Sequence, residues 1–219
     1  MDTKGKLSDR IYTGILGDIM DGKYTAGQIL NEQELCNLYQ CSKSPVRAAL
    51  LLLCQEDILR CIPRYGYEIN RMSVKYVEDI LNIRYLLEGG MVRASLQNFT
   101  ENQVNILESI LCKSNDATLK IGEQWDINAA FHLQLMSFCK NDYARSALEV
   151  IMKKLKMSYV QFYQEDQNHG VSEYSFNNPT NHSAMIQCLR NKDTETFLQI
   201  LKNGLSHFAN KQFDILDCF

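Results

Sequence analysis

The sequence predicts a mainly α protein in two parts: three short helices with a β-hairpin, then an all-helical bundle. Three observations carry this. Apolar residues recur at three- and four-residue spacing along most of the chain. Extended residues cluster around a turn only between Ile58 and Ile69. After Ser73 the pattern is helical throughout, with a polar break at Met72–Ser73 marking the boundary. The 219 residues allow one or two domains, here 1–72 and 73–219. A 45% hydrophobic content with three prolines reads as folded rather than disordered.

The first helix is expected at Leu7–Asp21, apolar at Leu7, Ile11, Ile15 and Ile19 and stopped by Gly22. Ala26-Gly27 makes a turn. Asn31 then caps a second helix, with Glu34 three residues on as a variant capping box. That helix should turn Leu35 and Leu38 inward and end near Tyr39. Ser44 suits the N-cap of a third helix and Pro45 its first position, with Val46, Leu50 and Leu53 as the buried stripe. Two extended runs around Arg64-Tyr65-Gly66 complete a hairpin. Two helices joined by a four-residue turn, then a hairpin, make a winged helix-turn-helix.

Such a head suits double-stranded DNA. A recognition helix puts its N-terminal side chains on base edges in the major groove. Lys43 and Ser44 sit at that helix mouth, and Arg47 lies opposite Val46 and Leu50. Arginine is the bidentate partner of guanine, and a free helix N-terminus favours phosphate. Gly66 would let the wing backbone approach the duplex, flanked by Arg64 and Tyr65. The whole chain carries 23 Lys+Arg against 26 Asp+Glu, a net −3, which excludes a globally basic coat protein and an acidic solvating tail. Within 40–66, however, Lys43, Arg47, Arg60 and Arg64 face only Glu56 and Asp57. Winged helices also serve as protein-interaction modules, so charge and pattern leave that reading beside the DNA one.

This stretch resembles the GntR family of bacterial transcription regulators. The matching residues are Tyr12, Ile15, Gly22-Lys23-Tyr24, Gly27, Leu30, Glu32, Glu34-Leu35, Ser42 through Arg47, Ala49-Leu50, Pro63-Arg64 and Gly66-Tyr67. The family pattern runs Gly-x-Tyr-x-x-Gly, then Ser-Arg-x-Pro-Val-Arg. Lys43 stands where the family usually has arginine, and it keeps the charge but loses the planar fork. The resemblance implies operator binding through Lys43, Ser44, Arg47, Arg64, Tyr65 and Gly66.

The second part opens with a helix from Ser73 to about Phe99, with a seam of Val77, Ile80, Arg84, Leu87, Met91 and Ala94. Arg84 in that apolar stripe is either an internal ion pair, with Glu88 one turn on, or a ligand-carboxylate contact. Further helices are expected at 100–114, 123–139, 142–165, 181–191 and 193–214. Asn128 and His132 share a face. With His182 and His207 they suit either a transition-metal site or ordinary core and surface imidazoles.

This part is similar to the FCD effector domain of the FadR-type GntR branch, through Arg84, Leu87-Glu88, Asn128-x-x-Phe131-His132, Asn181-His182 and Asp193. The resemblance implies a small carboxylate effector met by Arg84, Asn128, His132 and His182. It also implies one divalent transition metal (zinc, nickel or manganese) held by Asn128, His132 and His182. The expected third histidine position is Gly204, and His207 lies three residues later.

Other features are read as structural. Lys153, Lys154 and Lys156 form a solvated face, Tyr159, Phe162 and Tyr163 are core or dimer packing, and His169-Gly170 is a loop. The eight cysteines form no C-x-x-C pair and are expected as buried thiols of a reducing compartment. The polar N-terminus lacks a secretory signal, and the longest apolar run, Ala48–Cys54, is far below the roughly 20 residues of a membrane helix. The expectation is therefore a cytoplasmic homodimer with no membrane contact and no enzymatic activity. It would bind a palindromic operator in response to a small organic acid. The alternative is a regulator with a decayed, metal-free effector site, acting as a constitutive DNA-binding or protein-interaction module.

Overall fold

The computed structural model describes residues 3–112, 119, 121–169 and 179–208; the side chains of 3–6, 121, 162–169, 179–180 and 206–208 lie outside the description. In chain order the elements are α1 (Thr3–Met20), β1 (Ile29–Leu30), α2 (Glu32–Tyr39), α3 (Lys43–Gln55), β2 (Leu59–Ile62) and β3 (Gly66–Ile69). There follow α4 (Val74–Ser95), a 3-10 turn at Leu96–Asn98, α5 (Glu101–Leu111), α6 (Ile121–Phe138), α7 (Asp142–His169), α8 (Pro179–Asn191) and α9 (Thr194–Phe208). The protein is thus mainly α with a small three-stranded sheet. Contacts group Met1–Met72 with Met157–Ser172 in one unit, and Ser73–Lys156 with Glu173–Phe219 in the other.

The first unit is built on α1 against α3. Ile11, Ile15 and Ile19 interleave with Val46, Leu50 and Leu53, all essentially inaccessible to solvent, and each is worth about 1.5–3 kcal/mol on burial. Gly22, at φ 76°, ends the first helix region as its sequence position requires. The Asn31 cap forms, but its side chain accepts from the backbone N–H of Gln33 at 2.7 Å, a simple cap rather than a reciprocal box. Leu35 is buried; Leu38 is 59% exposed, and Cys36 takes the inward place beside Leu35. The helix is only eight residues long and turns a narrow face to the core.

The α3 start also differs from expectation. Its N-cap is Ser42, without a side-chain bond, and Pro45 is the third helical residue, buried. Pro45 is tolerated there because first-turn N–H groups have no intrahelical acceptor. The α2–α3 turn is Gln40 to Ser42, with Gln40 left-handed at φ 49°. The sheet has order β1-β3-β2, all antiparallel, pairing Leu30 with Tyr67, Arg60 with Glu68 and Ile62 with Gly66. β1 is a third strand between the Ala26-Gly27 turn and the Asn31 cap, where the sequence pattern predicts no element. Its two residues are too few to show a period. From within α7, Gln161 donates to the Asn70 carbonyl at 2.7 Å and accepts from the Met72 N–H at 3.1 Å.

The second unit packs α4 on α6 and α9, α5 on α6 and α8, and α8 on α9. Trp125, Phe131, Leu135, Leu148, Leu189 and Phe197 fill its core. Thr100 and Gln103 form a full capping box at α5. The α4 seam is Val77, Leu81, Arg84, Glu88 and Val92, rotated from the expected one, with Ala94 exposed. The rotation places both charged residues of the pair inside. Of the lysines expected on a solvated face, Lys153 is exposed, whereas Lys154 and Lys156 are half-buried, bonded to the Tyr76 hydroxyl at 3.1 Å and Asp126 at 2.6 Å. Tyr159 is buried, while the side chains of Phe162 and Tyr163 lie outside the described residues. α7 continues through His169 where a loop was expected; Gly170 is outside the description. Of the described cysteines, all free, only Cys36, Cys139 and Cys188 are buried, and Cys61 and Cys112 are exposed. Among described residues no helix is long and apolar enough to cross a membrane.

Candidate functional site

Each unit holds a polar constellation at the place where the sequence directs attention. In the first unit, Lys43, Ser44 and Arg47 stand exposed on the opening turns of α3, opposite the stripe that faces α1. The first-turn N–H groups there lack intrahelical partners, as at any helix start. Arg47 does not extend free. Its Nε donates to Glu32 Oε1 at 2.9 Å and its Nη2 to Glu32 Oε2 at 2.8 Å. The Tyr67 hydroxyl of β3 donates to the same Oε1 at 3.2 Å. The hydrogen bond from Arg47 holds the Glu32 carboxyl below its ordinary pKa, against the opposing effect of burial.

The wing turn runs from Ile62 to Tyr65, closed by the Tyr65 N–H on the Ile62 carbonyl at 3.0 Å. Arg64 takes the left-handed position at φ 72°, and Tyr65 is 70% exposed. Gly66 has a local structural reason: at φ 137°, an added Cβ would lie 2.5 Å from the Leu30 carbonyl oxygen of β1. Arg60, counted toward the basic balance, is held by Glu68 across the strand pair at 2.8 Å. Among described residues Lys43 and Arg64 form no ion pair. The positive charge available on this face is therefore small and concentrated at the helix mouth and wing tip.

In the second unit a chain of buried polar groups runs between α4, α6 and α8. Arg84 Nε donates to Glu88 Oε1 at 2.6 Å, and Glu88 Oε2 meets His132 Nδ1 at 2.6 Å. His132 Nε2 lies 3.2 Å from His182 Nε2. All four are at most 6% exposed. A buried ion costs several kcal/mol to desolvate, so the pairing is obligatory. The Glu88 carboxylate is held well below its usual range: burial pushes it up, but His132 and then Arg84 outweigh this. Burial lowers His132, while Glu88 acts in the opposite direction. Burial, then His132 and Arg84, push His182 down to about 3. His182 is thus neutral near pH 7, and burial favours the neutral form of His132. With Glu88 an acceptor only, His132 carries its proton on Nδ1 and turns the Nε2 lone pair toward His182.

Asn128, one turn before His132 on the same face, is 5% exposed, and its Nδ2 has no partner. A buried amide without a partner is costly, and it marks where a ligand oxygen or water would be accepted. The 3.2 Å between imidazole nitrogens also fits two ligands at about 2.0–2.1 Å from one tetrahedral ion. The donor set is nonetheless short. Among described residues no group of three His, Cys, Asp or Glu is placed to hold a metal. Gly204 faces Asn181, whose Nδ2 would lie 3.6 Å from an added Cβ. The His207 side chain lies outside the described residues.

The structure therefore brings Arg84, His132 and His182 into one chain with Asn128 beside it. It makes the Glu88 pair and the ligand-facing reading of Arg84 compatible, because Glu88 uses the guanidinium through Nε. Sequence reasoning missed the central place of Glu88, which also meets His132 44 positions away. It also missed Glu32 and Tyr67 as holders of Arg47. The signal for Glu88 was its i,i+4 spacing from Arg84; no spacing in the sequence announces the other two.

Comparison with known proteins identifies the family of each unit. Residues 79–207 match the model of the FCD domain, and residues 7–74 that of bacterial regulatory proteins of the gntR family. The chain is 29% identical over 143 residues to the HTH-type transcriptional regulator YdhC of Bacillus subtilis (strain 168), covering 64% of each chain. It is 23% identical over 136 residues to the Nta operon transcriptional regulator of Aminobacter aminovorans, covering 62% of this chain and 65% of that one. The match thus spans just under two thirds of the length of these relatives. The solved structure of McbR/YncC from E. coli shares the fold, with a TM-score of 0.66 at 19% identity over 94% of this chain and 95% of that one. These families and relatives are transcription regulators, not enzymes.

Proposed function

The chain belongs to the FCD-domain proteins of the GntR family, and from that premise we propose that it is a ligand-responsive regulator of transcription. It binds a palindromic operator on double-stranded DNA as a homodimer in the cytoplasm. The observation that carries the reading is the exposed set of Lys43, Ser44 and Arg47 at the start of α3, with Arg64 and Tyr65 on the adjoining wing. Helix start and wing tip supply phosphate contacts, and Arg47 supplies the base contact. Exposed apolar residues on α4 (Ile83 and Leu86) and α7 (Tyr143 and Val150) support a self-association surface. Dimer symmetry is then mirrored in the half-site spacing.

In the helical unit the effector is a small organic acid. Arg84, braced by Glu88, meets its carboxylate, and Asn128, His132 and His182 supply the remaining polar contacts. The imidazole separation supports a metal-bridged form of this reading, with Asn128, His132 and His182 holding one zinc, nickel or manganese ion. Such an ion supplies a Lewis-acid position for a carboxylate oxygen. Effector binding should change operator affinity by about 5–150-fold, the usual range of an allosteric coupling.

Arg47→Ala tests the DNA reading. A bidentate arginine–guanine contact is worth about 1–3 kcal/mol of base discrimination. In binding to randomised duplexes the variant should lose sequence preference by roughly tenfold or more while keeping salt-sensitive, unspecific binding. Unchanged selectivity would sink the assignment of Arg47.

A further inference from the structure

We infer that Glu32 and Tyr67 are positioning residues that fix which edge of the Arg47 guanidinium reads a base. The inference rests on the DNA-binding reading above. Glu32, the first residue of α2, engages the side-on edge of Arg47, Nε at 2.9 Å and Nη2 at 2.8 Å. A guanidinium carries five N–H groups in a fixed plane. Two are taken by Glu32, and the end-on fork of Nη1 and the second Nη2 proton is directed away from the carboxylate. That fork matches the O6 and N7 acceptors of guanine in the major groove. The hydroxyl of Tyr67, on the wing strand β3, in turn anchors Glu32 Oε1 at 3.2 Å.

The arrangement is poorly explained as a stabilising contact. The Arg47 side chain is 58% exposed, and exposed ion pairs contribute little to stability. An acidic group on a DNA-facing surface also opposes phosphate binding. What the contact supplies is order. A long side chain that would lose its rotamer freedom on docking is already held in one plane, by residues from the first recognition-motif helix and from the wing. Base contact at this position therefore depends on three elements at once: α2, α3 and β3.

The test is selection from a randomised duplex pool with the full-length protein, comparing the wild type with Glu32→Gln and Tyr67→Phe. Circular dichroism and melting check that the fold is retained. The wild type should enrich a motif with a guanine-dominated position in each half-site. Glu32→Gln should flatten that position by about tenfold, leave the other positions sharp, and keep or raise affinity for random duplex. Tyr67→Phe should flatten the same position less. Equal sharpness in Glu32→Gln would overturn the inference, as would a uniform loss at every position by a folded variant. A wild type without salt-sensitive duplex binding would overturn the DNA reading itself, and the inference with it.

Discussion

At pH 6.5 His182 is neutral where an imidazole in water would be half-charged, and that difference is measurable. Burial holds it at about 3, whereas the unfolded chain returns it to about 6.5. Between those values the unfolded chain binds a proton that the folded chain refuses, so stability falls as pH drops through this window. Above 6.5 neither state binds it and the dependence vanishes. The slope is about 1.4 kcal/mol per pH unit for each such histidine. Glu88, held below its usual range, acts only below about 4.5 and stays outside a test between pH 7.5 and 5.5. Urea unfolding of chelator-treated protein should show the slope, and His182→Gln should remove its own share, leaving only what His132 contributes. An unchanged slope in the variant would place the loss elsewhere.

Among the elements, the central strand of the small sheet is the most demanding. Gly66 sits at φ 137° with the Leu30 carbonyl where a methyl group would go. That carbonyl belongs to the backbone of β1 and cannot yield without disturbing the β1–β3 pairing. Gly66→Ala should cost about 1–3 kcal/mol, read as a lower melting temperature. Gly17 is the contrasting case: it lies inside α1, exposed, with nothing within 4 Å of an added Cβ. Gly17→Ala should stabilise by about 0.5–1 kcal/mol in the same melt. Helix periods and the hairpin were legible in the sequence because burial there follows local spacing. Leu38 and the α4 seam were not. Whether a helix face is inward depends on its neighbours, and in α4 the neighbours accept a charged pair.

At the scale of the whole molecule, an effector that binds only the folded protein raises its melting temperature by mass action, about 2.7 kcal/mol at a hundredfold excess over Kd. A melting screen against small mono- and dicarboxylic acids should find a stabilising compound. Arg84→Lys, which keeps the charge but loses the planar fork, should abolish that shift. Metal analysis of unchelated protein divides the two forms of the proposal: a bound equivalent favours the metal-bridged acid, and its lack favours direct hydrogen bonding. Gly204→His, restoring an imidazole beside Asn181, should raise metal uptake. No shift with any acid would count against the effector reading and leave the DNA head to be judged on Arg47.

Local spacing by itself determined the division into a helix-and-hairpin head and a helical bundle, the Val46–Leu50–Leu53 stripe, and the shared face of Asn128 and His132. Each follows from a period or a cap within a few residues. Motif order added the exposure of Lys43, Ser44 and Arg47 at a helix mouth. Tertiary structure alone decided who partners whom: Glu32 and Tyr67 on Arg47, and Glu88 between Arg84 and His132, with His182 beyond. These contacts join residues 15 to 50 positions apart, Arg84–Glu88 excepted. Their geometry is set by how helices and strands pack, and in the helical unit that packing removes water from around Arg84, Glu88 and His132 and so makes their pairing obligatory.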